Sequence, residues 1–195
     1  MALDSLTALD VHKAVPYPPG YPDDARTFYS PVDDVHGALK DVIGSATKSL
    51  VIAMYGYDDA EIDGVVRSKL NDDHVYVQMI LDSSQAGAKS EEAILQGWHN
   101  DKPGNSVAIG SADVAIGRSE KGAIMHMKIA IIDGVDIVTG STNWSFGGEH
   151  SQDNQLTVIR NPVVAAEARA RVDVIHDVML KQMAAKRRTP PAPTS

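Results

Sequence analysis

An α/β fold, with a mixed β-sheet carrying helices on both faces, is predicted by three features of this 195-residue chain. Short β-branched apolar runs alternate with segments whose apolar residues recur at helical spacing, the pattern of strands and helices layered in one domain. An Asp-Gly pair, Asp133-Gly134, separates two apolar runs and predicts a hairpin. Hydrophobic residues make up 43% of the chain and cysteine is absent, so a single core must form without disulfides, as a chain of this length can.

Residues 1–30 include Pro16-Tyr17-Pro18-Pro19-Gly20-Tyr21-Pro22 and read as an irregular N-terminal arm, packed on the surface or on a second subunit. From Asp33 to Lys48, Val35, Ala38, Leu39, Val42 and Ile43 keep helical spacing, with Asp33 or Asp34 as N-cap. Ser49–Tyr57 reads as a buried strand, Asp59–Leu70 as a helix and Val75–Leu81 as a further strand. Ser90–His99 is helical in pattern, and short strands follow at Val107–Ile109 and Val114–Ile116. Met125–Ile132 and Val135–Thr139 form the arms of the Asp-Gly hairpin, and Asn154–Arg160 is another strand. Pro162, a favoured first-turn residue, opens a long helix running to about Met183. The domain spans 31–185, and residues 186–195, basic and then proline-rich, read as a disordered tail.

Composition narrows the partners. The net charge of −8 lacks the basic excess of a protein that grips nucleic acid through many phosphates. No run approaches the ~20 apolar residues of a spanning helix, and the N-terminus lacks a basic region followed by an apolar one. No stable membrane insertion is expected, and the cytoplasm is the expected location.

The stretch from His126 to Asn143 carries the chemistry: His-x-Lys, four residues, Asp, six residues, Gly-Ser-x-Asn. Alternation along a strand puts His126 and Lys128 on one face and Asp133 on the other. Gly140, Ser141 and Asn143 leave the returning strand as a small polar turn that comes back beside His126. Imidazole is nucleophilic when neutral and acidic when protonated, and lysine supplies fixed positive charge. With Ser141 and Asn143 as donors, the set suits a phosphoryl group, whose oxygens carry the charge to be stabilised. Phosphate ester cleavage is the chemistry these residues fit.

Six residues at fixed gaps arise by chance at roughly one in tens of millions of starting positions. The motif resembles the HKD signature of the phospholipase D superfamily with its following Gly-Ser-x-Asn. Residues 32–59, 75–86 and Trp144–Val158 are similar to elements of its small single-motif members, such as the homodimeric bacterial endonucleases. The resemblance implies a phospholipase D-like sandwich and a phosphodiesterase that needs no metal or other cofactor. It implies that His126 attacks phosphorus to form a phosphohistidine, that Lys128 and Asn143 hold the non-bridging oxygens, and that Ser141 supports them. Asp133 belongs to the signature, although its parity favours a turn role. The family commonly places a Glu eleven residues after the motif Asn to orient the imidazole; here that residue is Asn154, which can accept a hydrogen bond but brings no charge.

One motif per chain leaves the leaving-group acid unassigned, and a twofold homodimer pairing His126 from each subunit supplies it. The seven histidines look scattered, so no metal site is expected; His150 reads as an exposed loop residue and Glu149 as a surface one. Trp144 and Gly140 are expected to contact substrate, while Tyr55 and Tyr57 are read as core. Nucleic acid is the expected substrate, a phosphatidylcholine-type phospholipid the alternative, and a non-catalytic binding protein on the same fold the third reading.

Overall fold

The computed structural model describes residues 3–85 and 114–188, with only the backbone described for 186–188. A 3-10 helix at Leu6–His12 is followed by β1 (Ala25–Ser30), α1 (Val35–Gly44), β2 (Ser49–Met54), α2 (Ala60–Leu70) and β3 (Tyr76–Asp82). After residue 113 come β4 (Val114–Gly117), β5 (Lys128–Ile132), β6 (Asp136–Gly140), α3 (Phe146–His150), β7 (Asn154–Arg160) and α4 (Pro162–Arg188). Among the described residues the strands form one sheet ordered β1-β7-β6-β5-β2-β3-β4. It is mixed: β2, β3 and β4 run parallel, whereas β5 is antiparallel to β2 and the ladder onwards to β1 stays antiparallel.

Alternation along β2 shows why both faces are covered. Leu50, Ile52 and Met54 join the core beneath α1, α2 and the 3-10 helix, with Leu39, Val42, Ile43, Ile62 and Val66. Val51 and Ala53 point the other way, to Ala165, Val172, Ile175 and Met179 of α4. Asp34 caps α1 by accepting from Gly37 N, and Asp59 caps α2 by accepting from Glu61 N and Ile62 N.

The N-terminal segment departs from the expected irregular arm. Leu6 and Leu9 are fully buried in the main core, and β1 pairs with β7 from Ala25↔Ile159 to Ser30↔Asn154. Its Pro-rich middle masks a closing edge strand whose six residues are too few to show a pattern. The strand expected from Met125 begins only at Lys128, which leaves His126 outside regular structure just ahead of it. The helix expected at Ser90–His99, the strand at Val107–Ile109 and residues 189–195 lie outside the described residues. Backbone helix covers 186–188, where a disordered tail was expected to begin. No helix among the described residues is long and apolar enough to cross a membrane.

Candidate active site

The ends of β2, β3 and β6 and the starts of β5 and β7 meet at one end of the sheet, because antiparallel pairing places Met54 opposite Lys128 and Gly140 opposite Leu156. Tyr55-Gly56, the dipeptide leaving β2, joins the two halves of the motif. The ring of Tyr55 lies 4.5 Å from that of His126, and Lys128 Nζ stands 4.8 Å from the Tyr55 centroid. Tyr55 N donates to Met127 O at 3.0 Å, fixing the chain between the two motif residues. Gly56 O accepts from Trp144 N at 2.9 Å, and a Cβ on Gly56 would lie 3.0 Å from Asn143 Cγ, a tight contact that would press on the Asn143 side chain.

His126 is exposed, as an attacking group must be, whereas Lys128 is buried, with 7% of its surface exposed. The lysine Nζ donates to His126 O at 3.1 Å, and among the described residues it has no carboxylate partner. Burial alone pushes its pKa below the ordinary 10.5, the expected effect when a cation loses water without gaining an anion. Asn143 presents a buried Oδ1 with no hydrogen-bond partner among the described residues. An unpaired cation and an unsatisfied carboxamide at one sheet end are groups that an entering phosphoryl oxygen would satisfy.

Ser141 and Asn154 act on each other. Ser141 Oγ donates to Asn154 Oδ1 at 2.9 Å and accepts from Gln155 N at 3.0 Å, while Asn154 Nδ2 donates to Gly148 O at 3.2 Å. Asn154 therefore does not orient the imidazole as expected: among the described residues its carboxamide bonds to Ser141, Gly148 and Gln152 and makes no hydrogen bond to His126. Gly140 meets a backbone need of its own. Its φ is 145°, and a Cβ there would fall 2.0 Å from Gln155 O.

Two further expectations are corrected. Asp133 sits at the other end of β5, five residues at ~3.3 Å or roughly 16 Å from Lys128, with its carboxylate turned to the chain entering β2. It accepts from Thr47 N, Thr47 Oγ1, Lys48 N and Ser49 N. The Asp-Gly turn is as expected, with φ of 55° at Asp133 and 69° at Gly134. Trp144 is 1% exposed and packs 6.0 Å from the buried Tyr57, so it belongs to the core; the exposed aromatic beyond the motif is Phe146, at 72%. Tyr55, read as core, is the residue both motif side chains rest on.

Asp82 escaped the sequence reading. It is fully buried at the end of β3, where Oδ1 accepts from Ser84 N at 2.8 Å and Ser84 Oγ at 2.5 Å. Its Oδ2 accepts from Met125 N at 2.6 Å, anchoring the residue before His126. The signal available was an Asp directly after an apolar strand run, MILD, at the end where the motif returns.

A family model described as "Cardiolipin synthase, PLD-like domain" matches residues 39–175, a span that holds every motif residue. The chain belongs to the phospholipase D-like family. A curated relative, the mitochondrial cardiolipin hydrolase of Chlamydomonas reinhardtii, is 30% identical over 138 residues, 71% of this chain and 56% of the relative. The chain thus spans about half the length of that relative. NucT from Helicobacter pylori superposes with a TM-score of 0.64 at 22% identity, over 78% of this chain and 95% of that one. The phospholipase D family member Nuc from Salmonella typhimurium gives 0.63 at 20% identity, over 78% and 93%. These two share the phospholipase D-like fold.

Beside the phospholipase D-like motif lies a second cluster. Glu149, expected on the surface, is 1% exposed; its Oε2 lies 2.5 Å from His36 Nδ1. Burial pushes its carboxyl up to about 7, against the pairing with His36. The hydrophobic spacing of α1 gave no reason to pair His36 with a residue 113 positions away.

Proposed function

We propose that the protein is a metal-independent phosphodiester hydrolase working through a phosphohistidine at His126. The observation that carries this is Lys128, a buried cation without a carboxylate partner among the described residues, sharing the Tyr55 ring with an exposed histidine. The neutral imidazole attacks phosphorus, forming an N–P bond as the bond to the leaving oxygen breaks. Lys128 and Asn143 take the charge gathering on the non-bridging oxygens. The leaving oxygen collects its proton from His126 of the partner subunit, and that imidazole then removes a proton from the water that splits the phosphohistidine. A homodimer is part of this reading, and an active monomer by light scattering at assay concentration would contradict it.

The substrate we favour is a glycerophospholipid diester. Ile124 and Phe146, two residues before His126 and three after Asn143 in the chain, are exposed by 45% and 72%, apolar groups that a lipid surface would cover. The curated relative is named for cardiolipin hydrolysis. The net charge of −8 disfavours a long polyanion. Nucleic acid is the second reading, favoured by the resemblance of the single-motif chain to the small bacterial endonucleases. The deciding experiment compares wild type with His126→Ala on bis(p-nitrophenyl) phosphate in excess EDTA, then on cardiolipin vesicles, DNA and RNA. His126-dependent turnover in EDTA is expected, with cardiolipin the better substrate. Absence of His126-dependent turnover both with and without EDTA would overturn the chemistry, and DNA or RNA cleaved in preference to lipid would overturn the substrate class.

A further inference from the structure

Three ligand-bearing side chains that the proposed hydrolysis does not use converge where α1 meets α3. His36 comes from the first turn of α1, Glu149 and His150 from the end of α3, and one donor atom from each lies within 4.8 Å of the others. The Glu149 side chain has no exposed surface. Its Oε2 faces His36 Nδ1, but its Oε1 is buried with no hydrogen-bond partner among the described residues. A buried carboxylate oxygen left unpaired calls for a cation or a donor that the surrounding protein does not provide.

The surroundings fit a cation. Asp59 spends Oδ1 on the amides of Glu61 and Ile62, while its Oδ2 lies 3.7 Å from His36 Nδ1. On the far side of the same ring, His36 Nε2 is 3.4 Å from Glu61 Oε2. A carboxylate holding the outer nitrogen of an imidazole, with the inner one turned towards other donors, is the arrangement that fixes a metal-binding histidine. His150 is exposed, its ring 5.0 Å from that of His36, and opens the cluster to solvent.

We propose that His36, Glu149 and His150 form a binding site for a divalent transition-metal ion of the zinc type, with Asp59 or a water as fourth donor. Two imidazoles and a carboxylate suit zinc better than magnesium or calcium, which take six or more oxygens. Tetrahedral bonds of about 2.0–2.2 Å place donors roughly 3.4 Å apart. The present separations run from 2.5 Å to under 4.8 Å, so small side-chain shifts complete the geometry. The ion would pin α1 to α3, whose Gly148 carbonyl accepts from Asn154 Nδ2 and Ser30 Oγ. Its role is to hold the segment following Asn143 in place; no reacting atom passes through it.

The test uses untagged full-length protein stripped with chelator and desalted. Zinc is titrated against a chromophoric zinc indicator, and cobalt(II) is added separately to record its visible spectrum. One zinc per chain, tetrahedral cobalt bands and a zinc-dependent rise in Tm are expected. His36→Ala and His150→Ala should each weaken binding by roughly 100-fold or more, while His74→Ala, at a side chain 92% exposed, leaves it unchanged. Because the exposed His150 side chain can be removed without opening the core, that variant decides if His36→Ala or Glu149→Gln fails to fold. Binding well below one equivalent, or binding unaltered in His150→Ala, would overturn the site. These readouts do not depend on turnover, so this proposal and the phosphodiesterase reading can fail separately.

Discussion

Asp133 belongs to the motif in sequence and lies away from it in space, and replacing it separates stability from chemistry. Its carboxylate accepts from Thr47 N at 3.0 Å, Lys48 N at 2.7 Å, Ser49 N at 2.9 Å and Thr47 Oγ1 at 2.8 Å. Hydrogen bonds to a charged group contribute about 1.5–3 kcal/mol each, but these donors are partly open to water and recover much of that when freed. Asp133→Asn keeps the left-handed backbone and one acceptor oxygen, so a loss of about 2–3 kcal/mol is expected. For a chain of this size that is a fall in Tm of roughly 5–10 °C. Asp133→Ala adds about 1–2 kcal/mol, because alanine resists the φ of 55°. Burial pushes the Asp133 carboxyl up, but the amides of Ser49, Lys48 and Thr47 outweigh it and hold the pKa below the ordinary 3.8. The stability this gives is complete above 3.8 and is lost as pH falls through the lowered value, so the Tm gap to Asp133→Asn narrows there. Thermal melts across pH measure the gap, and kcat well below Tm should match wild type within about twofold. A large fall in kcat with an unchanged Tm would refute the reasoning and return the carboxylate to the reaction.

Three further variants probe the site. Lys128→Met should lower kcat by about 10²–10³, as for one lost oxyanion donor, yet leave Tm unchanged or raised. The lowered pKa of Lys128 means the fold opposes its charge at neutral pH, a cost relieved only as pH rises towards 10.5; parallel kinetics and melts check both signs. Asp82→Asn should lower Tm and reduce kcat more than it raises KM, because the peptide before His126 loses its anchor; steady-state kinetics on a soluble diester separate the two constants. Asn154→Glu should slow the enzyme rather than restore a missing carboxylate, because the amide that donates to Gly148 O would become an acceptor facing an acceptor; a faster variant on the same diester would overturn this.

Much of the fold could be read in the sequence because its hydrophobic periods are local. The β7 bounds agree with the sequence reading, α1 is capped by Asp34, one of its two candidates, and α2 starts one residue after the expected Asp59, because capping and alternation are decided within a few residues. The first thirty residues misled because prolines and tyrosines dominate them, while Leu6 and Leu9, three apart on one turn, give too short a stripe to announce a buried helix. Lys128 is the first residue of β5 rather than its middle, and strand alternation cannot reveal where pairing begins.

The chemistry of single residues was legible, whereas their partners were not. His126, Lys128, Ser141 and Asn143 are named by spacing, but what each touches depends on the sheet order. Placing β2 between β5 and β3 brings Tyr55 under both motif side chains and Asp82 against Met125, and neither contact has a sequence distance that suggests it. The same ordering explains Asp133. An antiparallel β5 beside β2 must send its far end to the start of β2, where three amides await an acceptor. The motif Asp therefore has a job at the opposite end of the strand from the motif His. Its spacing in the motif is set by the length of β5, so altering that length by one residue would displace one end or the other.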